Sequence, residues 1–472
     1  MYIQQLYTKC LAEAAYYIES DGEVAIIDPL RDITEYLELA KRRSAKIKYV
    51  FETHFHADFV SGHVELAKAT GATIVYGPTT LKPGFDALIG YDGQLFPLGN
   101  IQFQLIHTPG HTMESSCFLL SNEGGIPYAL FTGDTLFIGD VGRPDLAQKV
   151  IAELTQEKLA GHLFDSLRNK IMPLPDDLIV YPGHGAGSAC GKKMSNETTD
   201  TLGHQKKNNY ALDLSLTKAQ FIDKVLDGLT PPPAYFPQDV LLNLGGYETL
   251  DHVYRKAKAT DAKAFESLIN DTDVLVIDTR DAEEFAKGFI PHAINIGLNG
   301  QFAVWAGTII RYVDQKIALV CTPGTEKEVL TRLSRVGFDN TIAYLFGGFE
   351  AWKNEGHKFE TIRSISVDEF VAEFYDESAV ILDVRKASEY NAQHIDGAIN
   401  VPLDYIFESK LKMQKDKTYY IHCAAGYRSM IFASIVKGEG YANIVNVAGG
   451  FAAIKQSEKF GITAFHEQAT ML

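Results

Sequence analysis

Between Thr53 and Phe59 the chain reads Thr-His-Phe-His-Ala-Asp-Phe, directly after the apolar run Ile47 to Phe51. Two imidazoles and a carboxylate packed into five positions are costly to desolvate without a cation to bind. Three further groups follow in order: His111 in Thr108-Pro-Gly-His, Asp134 in Phe131-Thr-Gly-Asp-Thr, and His184 in Tyr181-Pro-Gly-His-Gly. Each ends a short apolar run of strand character. That is where a sheet scaffold carries ligands, on the loops at its strand ends. The fold must therefore bring loops from distant strands to one point.

Taken together these motifs resemble the metallo-β-lactamase superfamily, and the resemblance implies an αββα sandwich. The pattern also departs from that family. Dinuclear members, the glyoxalase II-like thioesterases among them, read H-x-H-x-D-H, whereas the last position here is Phe59, which cannot ligate. A second metal would lack one of its His ligands, so the expectation is one metal per chain. The resemblance then narrows to the persulfide dioxygenase branch. It implies mononuclear Fe(II) held by His54, His111 and Asp134. Two imidazoles and one carboxylate leave a face of octahedral iron open for substrate and dioxygen.

A chain of 472 residues is too long for one core, and about three domains is the natural expectation. The net charge of −16 argues against a nucleic-acid partner. No apolar run approaches the ~18 residues that span a bilayer, so no membrane partner is expected. Met1 to Tyr7 has neither a basic start nor a long apolar stretch and does not read as a secretory signal. The five cysteines, Cys10, Cys117, Cys190, Cys321 and Cys423, are scattered, without CxxC spacing. Free thiols in a reducing cytoplasm are expected, not a disulfide framework.

Residues 1–230 hold the metal motifs. Ala14 to Ile18 and Val24 to Asp28 alternate like strands, while Glu65 to Thr70 and Lys149 to Lys170 read as helical. The stretch 231–255 opens with Pro231-Pro-Pro233-Ala-Tyr-Phe-Pro237 and reads as a stiff, extended linker.

Beyond it the chain repeats itself. Val274-Leu-Val-Ile-Asp278-Thr-Arg280 is matched by Val380-Ile-Leu-Asp383-Val-Arg385, and Ile290 to Asn295 by Ile395 to Asn400. Each copy then has a strand-like run into Cys321 or Cys423, a helical stretch and a Gly-Gly-Phe turn. A period of about a hundred residues is too long for a solenoid unit, so 256–360 and 361–472 are two whole domains. They resemble the rhodanese fold, which implies a central, mostly parallel sheet in each. The fold class expected for the chain is thus α/β multi-domain.

The copies differ chemically. The second reads Cys423-Ala-Ala-Gly426-Tyr-Arg428 and matches a rhodanese loop. Backbone N–H groups, the start of a helix and Arg428 would favour a thiolate, or a persulfide carried on it. Gly426 suits a loop that needs unusual backbone angles. The first copy reads Cys321-Thr-Pro323-Gly-Thr-Glu326. A carboxylate beside the sulfur opposes thiolate formation, and Pro323 removes a donor, so this copy is expected to be degenerate.

The combined resemblance implies an enzyme. Low-molecular-weight persulfide would react with O₂ at iron to give sulfite, and Cys423 would pass sulfane sulfur between sulfite and thiosulfate. Two rival readings are a zinc-dependent thioesterase of the glyoxalase II type and a non-enzymatic sulfur carrier or redox sensor. His56, Asp58 and His184 are expected to line the metal pocket without ligating. Cys190 could place a thiol there or be an ordinary loop cysteine. Arg143 would bind a carboxylate of the thiol carrier or pair with Asp140 or Asp145. The Asp278/Arg280 and Asp383/Arg385 pairs read as supports of the fold. The identity of the carrier thiol and the formation of homo-oligomers are left open by the sequence.

Overall fold

A computed structural model describes residues 1–145, 155–229, 232–374, 379–409 and 413–464. Part of the expected 149–170 helical segment, 149–154, and Pro231 lie outside them. The described residues form two compact units. The first is Met1–Val253 with Ala306–Val313 and Thr331–Asp339; the second is Tyr254–Trp305 with Asp314–Leu330 and Asn340–Leu472.

The first unit contains two six-stranded sheets. One runs in sequence order through β1 (Tyr2–Thr8), β2 (Glu13–Ser20), β3 (Glu23–Ile27), β4 (Lys46–Phe51), β5 (Thr73–Tyr76) and β6 (Leu88–Ile89). The other holds β7 (Leu95–Leu98), β8 (Ile101–His107), β9 (Ser116–Ser121), β10 (Pro127–Gly133), β11 (Ile179–Pro182) and β12 (Asp200–Thr201), again with each strand beside the next.

Side-chain alternation sorts these strands into layers. In β2, Ala14, Tyr16 and Ile18 enter a core that also holds Phe103, Phe118 and Phe131 of the second sheet. Ala15 and Tyr17, one residue out of phase, enter another core with Tyr36, Leu39 and Leu66. These last come from helices Thr34–Arg42 and His63–Thr70. The second sheet's outer face buries Leu119, Leu130 and Val180 with Leu163 of helix Gln156–Ser166. The result is helix, sheet, sheet, helix. Phe51 sits at the centre, its ring 4.5 Å from Phe118 and 5.1 Å from Phe103.

The stretch expected as a linker carries helices Phe236–Gly245 and Leu250–Lys256. Pro237 lies in the first turn of the former, where a missing N–H costs nothing. Val240 and Leu244 pack onto the helical core of the first sheet. The expectation of an extended segment followed from proline content alone and missed the apolar face behind it.

The second unit contains two parallel five-stranded sheets. One comprises β13 (Lys258–Thr260), β14 (Leu275–Asp278), β15 (Ile294–Asn295), β16 (Ile317–Val320) and β17 (Thr341–Leu345), in the order 13-17-16-14-15. The other uses β18 (Arg363–Ile365), β19 (Ala379–Asp383), β21 (Ile399–Asn400), β22 (Thr418–His422) and β23 (Ile444–Val447), in the order 18-23-22-19-21. β20 (Gln393–Ile395) and β24 (Ile462–Ala464) form a separate antiparallel pair.

The repeated residues hold each copy together in the same way. Asp278 pairs with Arg280 at 2.6 Å and Asp383 with Arg385 at 2.5 Å. Each guanidinium lies over the Phe of its Gly-Gly-Phe turn, 4.2 Å from the Phe349 centroid and 3.8 Å from that of Phe451. The Asn295 amide donates to the carbonyls of Asp278 and Arg280, and Asn400 does the same to Asp383 and Arg385.

Candidate functional site

Four strand ends of the first unit converge. The loop after β4 is anchored at Thr53, whose N–H and hydroxyl both donate to Asp28, each at 2.8 Å. β8, β10 and β11 deliver His111, Asp134 and His184. Gly133 makes the approach possible. Its φ is +47°, and a Cβ there would lie 2.4 Å from Thr53 Oγ1.

His54, His111 and Asp134 are buried, and their donor atoms lie within 4.8 Å of one another. His111 Nδ1 donates to the Arg143 carbonyl at 2.8 Å, which leaves its Nε2 facing Asp134 Oδ2 at 3.4 Å. Burial, reinforced by the neighbouring imidazoles, holds His54 well below the ordinary histidine value and hence neutral, the form that ligates. Nε2 of His54, Nε2 of His111 and both oxygens of Asp134 have no hydrogen-bond partner. Buried polar atoms are rarely left so. Two imidazoles and a carboxylate, with these donor atoms unpartnered and pointing together, fit a divalent metal.

His56 turns away from this point. Its Nε2 lies 3.1 Å from Asp28 Oδ1 and 3.5 Å from Glu52 Oε2. Burial alone would depress its pKa, but those two carboxylates outweigh burial and hold it well above the ordinary value. His56 therefore faces Asp28 and Glu52 and not the metal set. Asp58 and His184 face each other at 3.3 Å on the other side of Asp134. Cys190 joins them, and the three donor atoms again lie within 4.8 Å. Arg143 is held by Asp145 through two bonds of 2.6 and 2.7 Å, which is the second of its two expected roles.

Sequence reasoning overlooked the residues that fix the loop. Asn243, fully buried, donates to the carbonyls of His56 and Phe59 and accepts from the Ser61 N–H, all at 2.8 Å. The Tyr235 hydroxyl donates to the Asp58 carbonyl at 3.3 Å. Nothing in the local sequence of either residue signals this. Asp28 and Glu52 sit next to recognised motifs, and their acidic character at strand ends could have been noticed.

In the second unit Cys423 follows β22, and the Gly426 N–H donates to its sulfur at 3.1 Å. Gly426 has φ +103° and starts the helix Tyr427–Gly438. Arg428 does not reach toward the sulfur as expected: its guanidinium is bound bidentately by Glu389 at 2.6 and 2.9 Å. Its charge therefore acts only from a distance. In the first copy the matching amide, Gly324 N–H, donates to the Glu326 carboxylate at 2.9 Å. The cradle there is filled by its own side chain. Burial first, with Asp278 and Glu326, pushes the Cys321 thiol up to about 12.

Comparison with known proteins agrees with this architecture. The model of the metallo-beta-lactamase superfamily matches residues 8–184, and that of the rhodanese-like domain matches 261–355 and 366–457. A solved metallo-beta-lactamase from Staphylococcus aureus subsp. aureus COL is 33% identical, with a TM-score of 0.64, covering 73% of this chain and 98% of that one. A hydroxyacylglutathione hydrolase of Pelagibacter ubique is 32% identical over 37% of this chain and 68% of its own length. A cytoplasmic hydroxyacylglutathione hydrolase of Arabidopsis thaliana is 31% identical over 37% of this chain and 65% of its own. The chain belongs to the metallo-beta-lactamase superfamily and carries two rhodanese-like domains in addition. These are enzyme-type domains, and their combination fits sulfur metabolism. No helix among the described residues is long and apolar enough to cross a membrane.

Proposed function

We propose that the chain oxidises low-molecular-weight thiol persulfides with O₂ and that Cys423 exchanges sulfane sulfur between sulfite and thiosulfate. The observation that carries this reading is the donor set: two imidazoles and one carboxylate, buried and unpartnered, with Phe59 in place of a further ligand. His54, His111 and Asp134 would hold a single Fe(II), which when bound supplies a site for both thiolate sulfur and O₂. Overall, R-SSH + O₂ + H₂O gives R-SH, sulfite and two protons. The chain's own part is to keep His54 neutral and to orient His111 through the Arg143 carbonyl. Phe59, buried against His56 with ring centroids 4.3 Å apart, excludes water from that side.

At Cys423 the persulfide Cys-S-S⁻ would give its outer sulfur to sulfite, yielding thiosulfate and the Cys423 thiolate, with charge conserved. The Gly426 N–H is placed to stabilise that thiolate. Both steps on one chain raise the local concentration of the shared intermediate, sulfite. The test is oxygen uptake by iron-loaded protein across a panel of persulfides. Uptake with sulfite formation is expected, with His111→Ala abolishing both uptake and iron retention.

A hydrolytic reading has support from the similar hydroxyacylglutathione hydrolases of Pelagibacter ubique and Arabidopsis thaliana. A zinc-loaded thioesterase would cleave a glutathione thioester without oxygen. Thioester turnover in the absence of oxygen uptake would decide for it.

A further inference from the structure

At Cys423 either direction of the proposed transfer brings three negative charges together: a thiolate meets thiosulfate, or the bound persulfide meets sulfite. Like charges at contact distance need a cation beside them. Arg428 is the second residue of the helix that opens at the cradle, and Cys423 is among its electrostatic neighbours. Its guanidinium is nevertheless engaged elsewhere. Nη1 and Nη2 donate to the two oxygens of Glu389 at 2.6 and 2.9 Å, with side chains 15% and 35% exposed. Burial alone would raise the Glu389 carboxyl, but the bonds from Arg428 outweigh it and hold the group below its ordinary value. Asp404 is a second carboxylate in electrostatic reach of Arg428, and its Oδ2 is buried without a hydrogen-bond partner.

The two partners differ in freedom. Glu389 is the third residue of helix Ala387–Ala392, and its Oε2 also accepts from the Lys386 N–H at 3.2 Å. The carboxylate is therefore fixed to its own backbone, and the long arginine is the partner that can turn. The degenerate copy has no such pair. Glu284, six residues after Asp278 as Glu389 is after Asp383, bonds Lys287 instead, and Glu326 stands where Arg428 does.

We propose that Glu389 is a charge gate on the sulfur-transfer loop: it yields Arg428 to a doubly charged sulfur oxyanion and withholds it from thiols. The inference rests on the reading of Cys423 as a sulfur carrier. Sulfite and thiosulfate present paired oxygens that suit the guanidinium fork, with more charge than the carboxylate they displace. A thiol or thiolate has at most one charge on a single sulfur and does not compete. Glu389 is thus a positioning residue that acts through Arg428, and it sets which sulfur compounds reach Cys423 with a cation beside them.

The test alkylates freshly reduced full-length protein with iodoacetate, an anion, or iodoacetamide, its neutral analogue, and follows the Cys423 peptide by mass spectrometry. Glu389→Gln frees Arg428 while a glutamine can still accept from the Lys386 N–H. Its iodoacetate-to-iodoacetamide rate ratio at Cys423 should rise about fivefold, the scale of one partly exposed ion pair. KM for thiosulfate should fall by a similar factor with kcat little changed. In an Arg428→Gln background the same substitution should gain less, because the two residues are coupled. An unchanged rate ratio in Glu389→Gln overturns the proposal. An equal gain with and without Arg428 overturns it too, since Glu389 would then act by plain repulsion. Alkylation requires no sulfur transfer. Absence of thiosulfate turnover in the wild-type chain would therefore sink the sulfur-carrier reading, while the rate ratio would still decide the gate.

Discussion

Single residues separate the two sulfur-carrier loops. Cys321 and Cys423 occupy equivalent strand ends, yet the amide three residues on serves Glu326 in one copy and the sulfur in the other. A buried thiol raised to about 12 is almost wholly protonated at neutral pH and is a poor nucleophile. Cys423→Ser should therefore abolish thiosulfate formation and leave oxygen uptake intact, while Cys321→Ser changes neither. Mass spectrometry after thiosulfate treatment should find the added sulfur on Cys423 alone. An added sulfur on Cys321 would mean that Glu326 does not block its cradle. Arg428 shows how far residue-level reading reaches. Its type and spacing were legible; its engagement by Glu389, 39 positions earlier, was not.

At the scale of elements, helix Phe236–Gly245 is the piece whose role differs most from its appearance. Its proline-rich approach reads as spacer, but Asn243 makes three hydrogen bonds to the loop that carries His54, His56 and Asp58. Asn243→Ala would leave two carbonyls and one N–H buried without partners. The expected cost is about 2–4 kcal/mol, since each stranded group loses its compensation for desolvation. Loss of an outer support of this kind typically weakens metal affinity about 10–100-fold. Denaturant titration and competition with a metal chelator measure the two effects. Destabilisation without any loss of metal affinity would show that the helix supports the fold but not the site.

Across the whole molecule, the metal donors belong to one compact unit and the sulfur-carrier loop to the other. Metal binding should stabilise the first locally. Metal at about a thousand times its dissociation constant suppresses opening of the bound region by about 4 kcal/mol. Peptide-resolved amide exchange should then slow around His54, His111, Asp134 and His184 when metal is added. Peptides from Ala379 to Val447 should exchange as before. Equal protection in both groups would show that the metal is not confined to the first unit.

The sequence by itself determined the two kinds of architecture, the order of the donor loops and the unequal copies of the repeat. Those features are local: strand alternation, a motif of fixed spacing, a glycine at a tight loop, a carboxylate beside a cysteine. Only the tertiary structure decided which donors share a point. His54 and His56 are two positions apart on one loop, yet one faces the metal set and the other faces Asp28 and Glu52. Asp58 meets Cys190 across 132 positions because the loops that follow β4 and β11 converge. Such convergence depends on sheet register and loop path. Both are set by packing against the rest of the core, and no window of the sequence contains them.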